Sequence, residues 1–326
     1  MRIAVTGSIA SDHLMAFSGR FVDQLMSEHL ENVSLSFLAD TLEIRRGGVA
    51  ANIAVGLGRL GLDPVLVGAA GIDFAEYRDW LHANGVDTDA VRVSATRHTA
   101  RFVCTTDADQ NQIATFYAGA MVEAREIDLV PVARRMGGIG LAMVGPDDPG
   151  AMLRHTDACR ELGVGFAADP SQQLARLDRA ETRRLIDRAR FLFTNEYEAA
   201  LLQERTGWSA PQVLERVGNW VVTRGQDGVV VSGQGRAELR IPAVPATGVV
   251  DPTGAGDGFR AGFLAGTAWG WPHERAARLG CALATSVLES VGTQEYKLSV
   301  ADLRLRIEEA YGPAAAAEIT HDLERR

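Results

Sequence analysis

The chain has 326 residues, 46% of them hydrophobic and 23% charged, and a formal net charge of −9, the profile of a globular protein whose interior needs no disulfide or metal staple. The negative balance argues against a nucleic-acid binder, which needs a basic footprint, but it leaves room for a nucleotide held by helix N-termini and backbone N–H groups. The one lysine, Lys297, follows Gln294-Glu295-Tyr296; this excludes a P-loop and argues against a protein kinase or a pyridoxal enzyme, each of which requires a lysine in a fixed setting.

In chain order, residues 3–6 read as a short apolar strand with no long apolar leader before it. Residues 33–45 alternate with period two and predict an antiparallel strand with one wet face. A small, apolar helix is predicted over 49–60, a strand over 64–68 and a helix over 74–83. Period two returns at 101–106 and 112–117, which predict a pair of antiparallel strands. Strands at 141–145, 165–169, 191–194 and 221–223 then alternate with helices near 149–162, 178–189, 196–206 and 209–217. Helices at 255–269, 273–291, 300–310 and 314–325 complete the chain. Alternating β and α elements predict an α/β fold with a central, mostly parallel β-sheet flanked by helices. The period-two segments predict a small β-sheet lid from 11–45 and 99–118, over a core of 1–10, 46–98 and 119–326. No apolar run reaches the ~18 residues of a membrane span. Cys104, Cys159 and Cys281 are scattered and odd in number, which predicts free thiols and a cytoplasmic protein. The histidines show no metal-ligand spacing; His273-Glu274 is followed by Arg-Ala-Ala, which is not a zinc helix.

The sharpest local signal is Asp251-Pro252-Thr253-Gly254-Ala255-Gly256-Asp257. Gly254, Ala255 and Gly256 run into a helix, whose N–H groups and dipole suit a phosphate or an oxyanion. Asp257 in the first turn would repel that anion unless it has a chemical task, and taking a proton from an attacking hydroxyl is such a task. The same letters also spell a glycine-rich cap with an N-terminal aspartate. Gly47-Gly48 opens the helix that carries Asn52, which is either a ligand contact or a core amide with a partner. Gly56-Leu57-Gly58-Arg59-Leu60-Gly61 matches a dinucleotide fingerprint by letter, but it ends a helix and precedes a strand, the reverse of the required order. It is a glycine-rich helix end.

Two features suit a flat aromatic ligand. If Ala108-Asp109-Gln110 is a hairpin loop, Phe102 and Phe116 are each seven residues from its centre and face each other across two strands. They would sandwich a purine or pack the lid's own small core. Gln172 and Gln173 follow a strand at its C-terminal end, where open α/β sheets bind ligands; their amides could read a base edge or start a solvated helix.

Gly-Gly-x-x-x-Asn at 47–52 followed by Asp-Pro-Thr-Gly-Ala-Gly-Asp at 251–257 resembles the ribokinase family of PfkB-type carbohydrate kinases, over essentially the whole chain. Residues 8–14, 169–177 and 293–295 are most similar to the actinobacterial adenosine kinases. The resemblance implies a ribokinase-like fold and transfer of a phosphoryl group from ATP, with Mg2+ and an optional K+, to the 5′-hydroxyl of adenosine or a close purine nucleoside. It implies Asp257 as base and the backbone of Gly254, Ala255 and Gly256 as anion hole. It also implies Asn195 and Glu198 of an Asn-x-x-Glu motif beside the ATP phosphates, with magnesium held through water. Thr223, Gly225 and Gly228 form the implied nucleotide loop. Ser8, Asp12, Gly48 and Asn52 line the nucleoside pocket, and Asp251 is the implied monovalent-cation ligand. Pro252 and Gly258 depart from the usual pattern. A ribokinase- or fructokinase-like sugar kinase shares every catalytic motif, and a nucleoside-binding homologue without catalysis is a further alternative. No nucleic-acid or membrane partner is expected; a homodimer joined through the lid is.

Overall fold

The computed structural model describes residues 1–24 and 36–324. Its strands are β1 (Ile3–Thr6), β2 (Ala10–Ala16), β3 (Thr41–Gly47), β4 (Val65–Ala70), β5 (Asp87–Val93), β6 (Ala100–Thr106), β7 (Gln112–Tyr117), β8 (Leu141–Val144), β9 (Phe166–Ala168), β10 (Phe191–Asn195), β11 (Asn219–Thr223), β12 (Val229–Ser232) and β13 (Leu239–Ile241). Its α-helices are α1 (Phe21–Gln24), α2 (Val49–Arg59), α3 (Ala75–Ala83), α4 (Leu129–Arg135), α5 (Pro149–Glu161), α6 (Arg179–Ile186), α7 (Glu196–Thr206), α8 (Ala210–Leu214), α9 (Ala255–Ala268), α10 (His273–Leu288), α11 (Val300–Tyr311) and α12 (Pro313–Leu323).

Nine strands form the main sheet in the order β13-β12-β11-β10-β9-β8-β1-β4-β5. The pairs from β11 to β5 are parallel, and β11-β12-β13 is antiparallel. The central strands are mostly apolar and buried because both faces are covered. Strict alternation divides their side chains between two cores. Val5, Leu66, Met143 and Phe193 pack with α2, α9, α10, α11 and α12. Ala4, Val67, Val144 and Leu192 pack with α4 to α8. Helix α9 lies against α10 through a stripe of glycines. A Cβ on Gly258 would meet Val287 Cγ2 at 2.8 Å, and one on Gly262 would meet Gly280 Cα at 2.7 Å. This explains the glycine at 258, where the resemblance had no reason for it. Gly56 and Gly58 lie in the last turns of α2 and Gly61 follows with φ 79°, so this is a helix end, as its order in the chain requires.

A second sheet has four strands in the order β3-β2-β6-β7. It corrects the expected all-antiparallel arrangement. β2–β3 and β6–β7 are antiparallel, but β2–β6 is parallel, because the chain passes through the main sheet between those two strands. The strand expected over 33–45 is Thr41–Gly47; 36–40 carry no strand, and 33–35 lie outside the described residues. β2 escaped the sequence reading because Ala-Ser-Asp-His-Leu-Met-Ala mixes polar and apolar residues on both faces. β5, β12, β13 and α4 also escaped it. They are short or partly exposed elements with little periodic signal. The cysteines are free and buried. Among the described residues, no helix is long and apolar enough to cross a membrane.

Candidate active site

The C-terminal ends of the parallel strands open onto a cavity of about 810 Å³. Ser8 follows β1, Asp169 follows β9, Asn195 ends β10 and Thr223 ends β11, and all four line it. This is where open α/β sheets bind ligands. The same cavity is lined by Asp12, Gly48, Asn52, Phe116, Gln172, Gln173, Glu198, Gly225, Gly254, Gly256 and Asp257. Residues distant in sequence thus share one space.

Tight turns explain several of these positions. Gly48 has φ 95°, and a Cβ there would lie 2.6 Å from the backbone of Ala10 and of Ser8. The Ser8 hydroxyl accepts a hydrogen bond from Val49 N at 3.0 Å, which satisfies one free donor at the start of α2. Gly254 takes the left-handed conformation, φ 78°, at the start of α9. Asn195 and Glu198 form a reciprocal capping box on α7, with contacts of 2.8 and 2.7 Å. Their spacing therefore has a local structural role as well as a position on the cavity wall.

Asp257 stands in the first turn of α9, half-buried. Its Oδ2 accepts from Asn52 Nδ2 at 2.8 Å. Burial pushes its carboxyl up to about 7; Arg260 and the Asn52 hydrogen bond act the other way, and Asp169 and Glu198 add to the rise. Asp12 is also raised, to about 6, by burial and then by the charge of Asp251, against the pull of Arg45. On the cavity wall, Arg260 is largely buried against Asp169, with Nη2 to Oδ1 at 2.9 Å and Nε to Oδ2 at 2.6 Å. Even with that partner, burial raises Asp169 to about 6.

Gln173 is 5% exposed, and its Oε1 has no hydrogen-bond partner. Gln172 accepts from Ser171 Oγ at 2.7 Å. The second sheet contributes a row of residues set by register: Arg45, Asp12, Phe102 and Phe116 lie side by side across β3, β2, β6 and β7. The seven-residue spacing does pair Phe102 with Phe116. Phe116 lines the cavity and Phe102 does not.

Three other expected residues also stand off the cavity wall. Ala255 begins α9 behind Gly254. Gly228 turns the chain into β12 with φ 85°, and a Cβ there would lie 2.0 Å from Ile241 O. Asp251 accepts from Thr253 N, Gly292 N and Arg45 Nη1 at 2.9, 3.2 and 3.3 Å. Burial acts to raise it, but these donors outweigh burial and hold it below the usual carboxylate range.

Arg260, Asp169, Arg176 and Thr293 line the cavity without having been expected there. Arg260 had a signal: a lone arginine in Gly-Phe-Arg-Ala-Gly-Phe-Leu, an apolar helix, must find a buried partner.

Residues 12–299 match the family model described as pfkB family carbohydrate kinase. The nucleoside kinase of Methanocaldococcus jannaschii is 30% identical over 253 residues, which is 76% of this chain and 80% of that protein. The structure of Burkholderia thailandensis nucleoside kinase in complex with inosine is 37% identical, with a TM-score of 0.84 over 95% of this chain and 99% of that one. The ADP-inosine complex of the same kinase gives 0.81 at the same identity, over 95% and 96%.

Proposed function

The chain belongs to the pfkB family of carbohydrate kinases, and from that premise we propose that it transfers the γ-phosphoryl group of ATP to the 5′-hydroxyl of a purine nucleoside, adenosine first, yielding AMP and ADP. The observation that carries this is Asp257: a carboxylate with a raised pKa and one fixed N–H donor, at the mouth of a helix N-terminus on the cavity wall. In this reading the attacking hydroxyl gives its proton to Asp257 as its oxygen bonds phosphorus and the bond to the leaving ADP oxygen breaks. Backbone N–H groups at Gly254, Ala255 and Gly256 meet the charge on the transferring oxygens. Thr223 and Gly225, with Gly228 shaping their turn, hold the nucleotide side.

Magnesium fits the side chains present. Glu198 offers one carboxylate at the cavity edge, and no cluster of three metal-ligating side chains occurs among the described residues. Mg2+ keeps several waters and is commonly held by one or two carboxylates plus substrate phosphates. Glu198 and Asn195 would hold its water shell, and the ion when bound would neutralise phosphate charge. A potassium ion at Asp251 must share that carboxylate with Arg45; the dependence of initial rate on K+ tests this.

On the nucleoside side, Asp12 takes ribose hydroxyls beside Ser8, Gly48 and Asn52. Phe116, on the cavity wall with Phe102 beside it in the next strand, takes a face of the base, and Gln172 and Gln173 take its edge. The unpartnered Gln173 oxygen suits an exocyclic amine, which favours adenosine over inosine. The related Burkholderia kinase was crystallised with inosine, so purine breadth is the sharpest question. ADP release should be measured with adenosine, inosine, guanosine, ribose and fructose. Adenosine should give a kcat/KM at least about tenfold above either sugar, on the scale of a hydrogen-bonded and stacked base. Ribose or fructose turning over best would make the protein a sugar kinase. No ADP from any of them would make it a binding protein. A second copy of the chain is proposed to cover the outer face of the small sheet, where Leu42, Ile44, Ile113 and Tyr117 are all exposed.

A further inference from the structure

Gln294 follows α10 and is 0% exposed. Its Oε1 accepts from Trp80 Nε1 at 3.0 Å. Its Nε2 donates to Tyr77 OH at 2.5 Å and to Asn52 Oδ1 at 2.8 Å. The Tyr77 hydroxyl donates in turn to Gly47 O at 2.8 Å. Both ends of this chain have fixed polarity. An indole N–H can only donate, so it draws the oxygen of Gln294. A backbone carbonyl can only accept, so it takes the Tyr77 hydrogen and leaves that oxygen needing a donor. Each end independently demands the same orientation of the Gln294 amide. Its nitrogen therefore faces Asn52, Asn52 must present Oδ1 to it, and Asn52 Nδ2 is turned onto Asp257 Oδ2. Thr293 cannot impose this alone. Its single hydroxyl hydrogen lies between two acceptors, Asn52 Oδ1 at 2.9 Å and Arg46 O at 3.0 Å.

We propose that Gln294 is a positioning residue that fixes the polarity of the Asn52 amide, so that Asp257 Oδ2 always meets an N–H and the other carboxylate oxygen is left for the substrate hydroxyl. This rests on the assignment of Asp257 as base. Without the lock, Asn52 can turn half a revolution and set an oxygen against the carboxylate, which displaces it from the hydroxyl. Neither Gln294 nor Trp80 lines the cavity, so variants at these positions remove no side chain from its wall.

The test uses the full chain with adenosine and ATP-Mg2+. Gln294→Leu keeps the approximate volume and removes the polarity. Gln294→Glu keeps the shape, but an ionised carboxylate accepts from both Trp80 and Asn52 and reverses the amide. Trp80→Phe removes one end of the relay and touches neither Asn52 nor Asp257. The kcat should fall ~10–100-fold for Gln294→Leu, within the worth of general-base catalysis. It should fall further for Gln294→Glu and less for Trp80→Phe. Adenosine affinity by calorimetry should stay within about threefold, because no contact to nucleoside is removed. A folded Gln294→Leu with unchanged kcat overturns the proposal, as does a loss of affinity equal to the loss of kcat. Should Gln294→Leu not fold, unchanged kcat in the double variant Trp80→Phe with Tyr77→Phe, which removes both ends of the relay, overturns it. Asp257→Asn separates the two assignments. If that variant turns over normally, the base assignment is what fails. If it is inactive while the Gln294 variants are normal, only the relay fails.

Discussion

At Asp257 burial opposes the charge of Arg260 and the hydrogen bond from Asn52, and burial prevails, leaving its carboxyl near 7. A base acts in its ionised form, so kcat/KM for adenosine should fall about tenfold per pH unit below about 7 and level off above it. A profile flat from pH 5 to 8 would remove Asp257 from proton transfer. Asp257→Asn should lose roughly 10²–10⁴ in kcat while adenosine still binds, which calorimetry can read. A second carboxyl makes a stability prediction. Asp147 is buried with Oδ2 unpartnered, and burial pushes it up to about 8. Its folded-state pKa exceeds the unfolded value, so the native form holds an extra proton between about 4 and 8, and stability falls as pH rises through that window. Asp147→Asn should therefore raise Tm at pH 8, by roughly 1–3 kcal/mol of stability, and change nothing at pH 4. Equal shifts at both pH values would refute this. Asp257 and Asn52 were legible in the sequence because small residues and a lone amide are local signals. The Arg260–Asp169 pair and Gln294 were not, because each gains its meaning from partners far away in the chain.

At the level of elements, the central strands were legible wherever both faces are buried, since four or five apolar residues in a row admit few alternatives. β2 carries Asp12 yet gave no strand signal; only its pairing with β3 and β6 makes it one. The pairing of Phe102 with Phe116 was legible because a tight turn fixes register. The turn is tied by Asp107, whose carboxylate accepts from the backbone of Phe21, Asp109 and Asn111 at 2.9, 3.0 and 2.8 Å. The glycines of α9 give the clearest mutational test. Gly262→Ala gains about 1 kcal/mol of helix propensity, but its Cβ meets the Gly280 backbone at 2.7–2.8 Å, where neither helix can yield. Overpacking of roughly 1–3 kcal/mol should win. Thermal unfolding that shifts upward instead would show that α10 slides freely.

At the scale of the molecule, the small sheet is tied to the core at one end, by Arg45 to Asp251 and Arg101 to Asp73, and exposes Leu42, Ile44, Ile113 and Tyr117 on its outer face. Ile44→Asp with Leu42→Asp should convert a dimer into a monomer in sedimentation velocity. A wild-type monomer at micromolar concentration would dismiss the dimer. Closure of this sheet over nucleoside predicts that adenosine, without ATP, slows hydrogen exchange across 41–47 and 100–117. Protection by ATP alone would assign the sheet to the other substrate.

The parallel pairing of β2 with β6 also orders events in time. Its register joins Ala10 to Ala100, and the intervening chain contains α2, β4, α3 and β5. Two strands so far apart in sequence meet late, because closing so long a loop is unfavourable until the chain between them is already compact. The β1–β4 and β4–β5 pairs of the main sheet close shorter loops, Ala4 with Val65 and Val65 with Asp87, and should therefore precede the β2–β6 pair on refolding from urea, whereas β1–β8 joins Ile3 to Leu141 across a longer loop still. Pulsed hydrogen exchange during refolding, read beside adenosine binding, would reveal a span in which amides of β1 and β4 are already protected while Asp12, Phe102 and Phe116 are not yet aligned. The protein would then acquire the strands beneath its cavity before its capacity to retain a nucleoside.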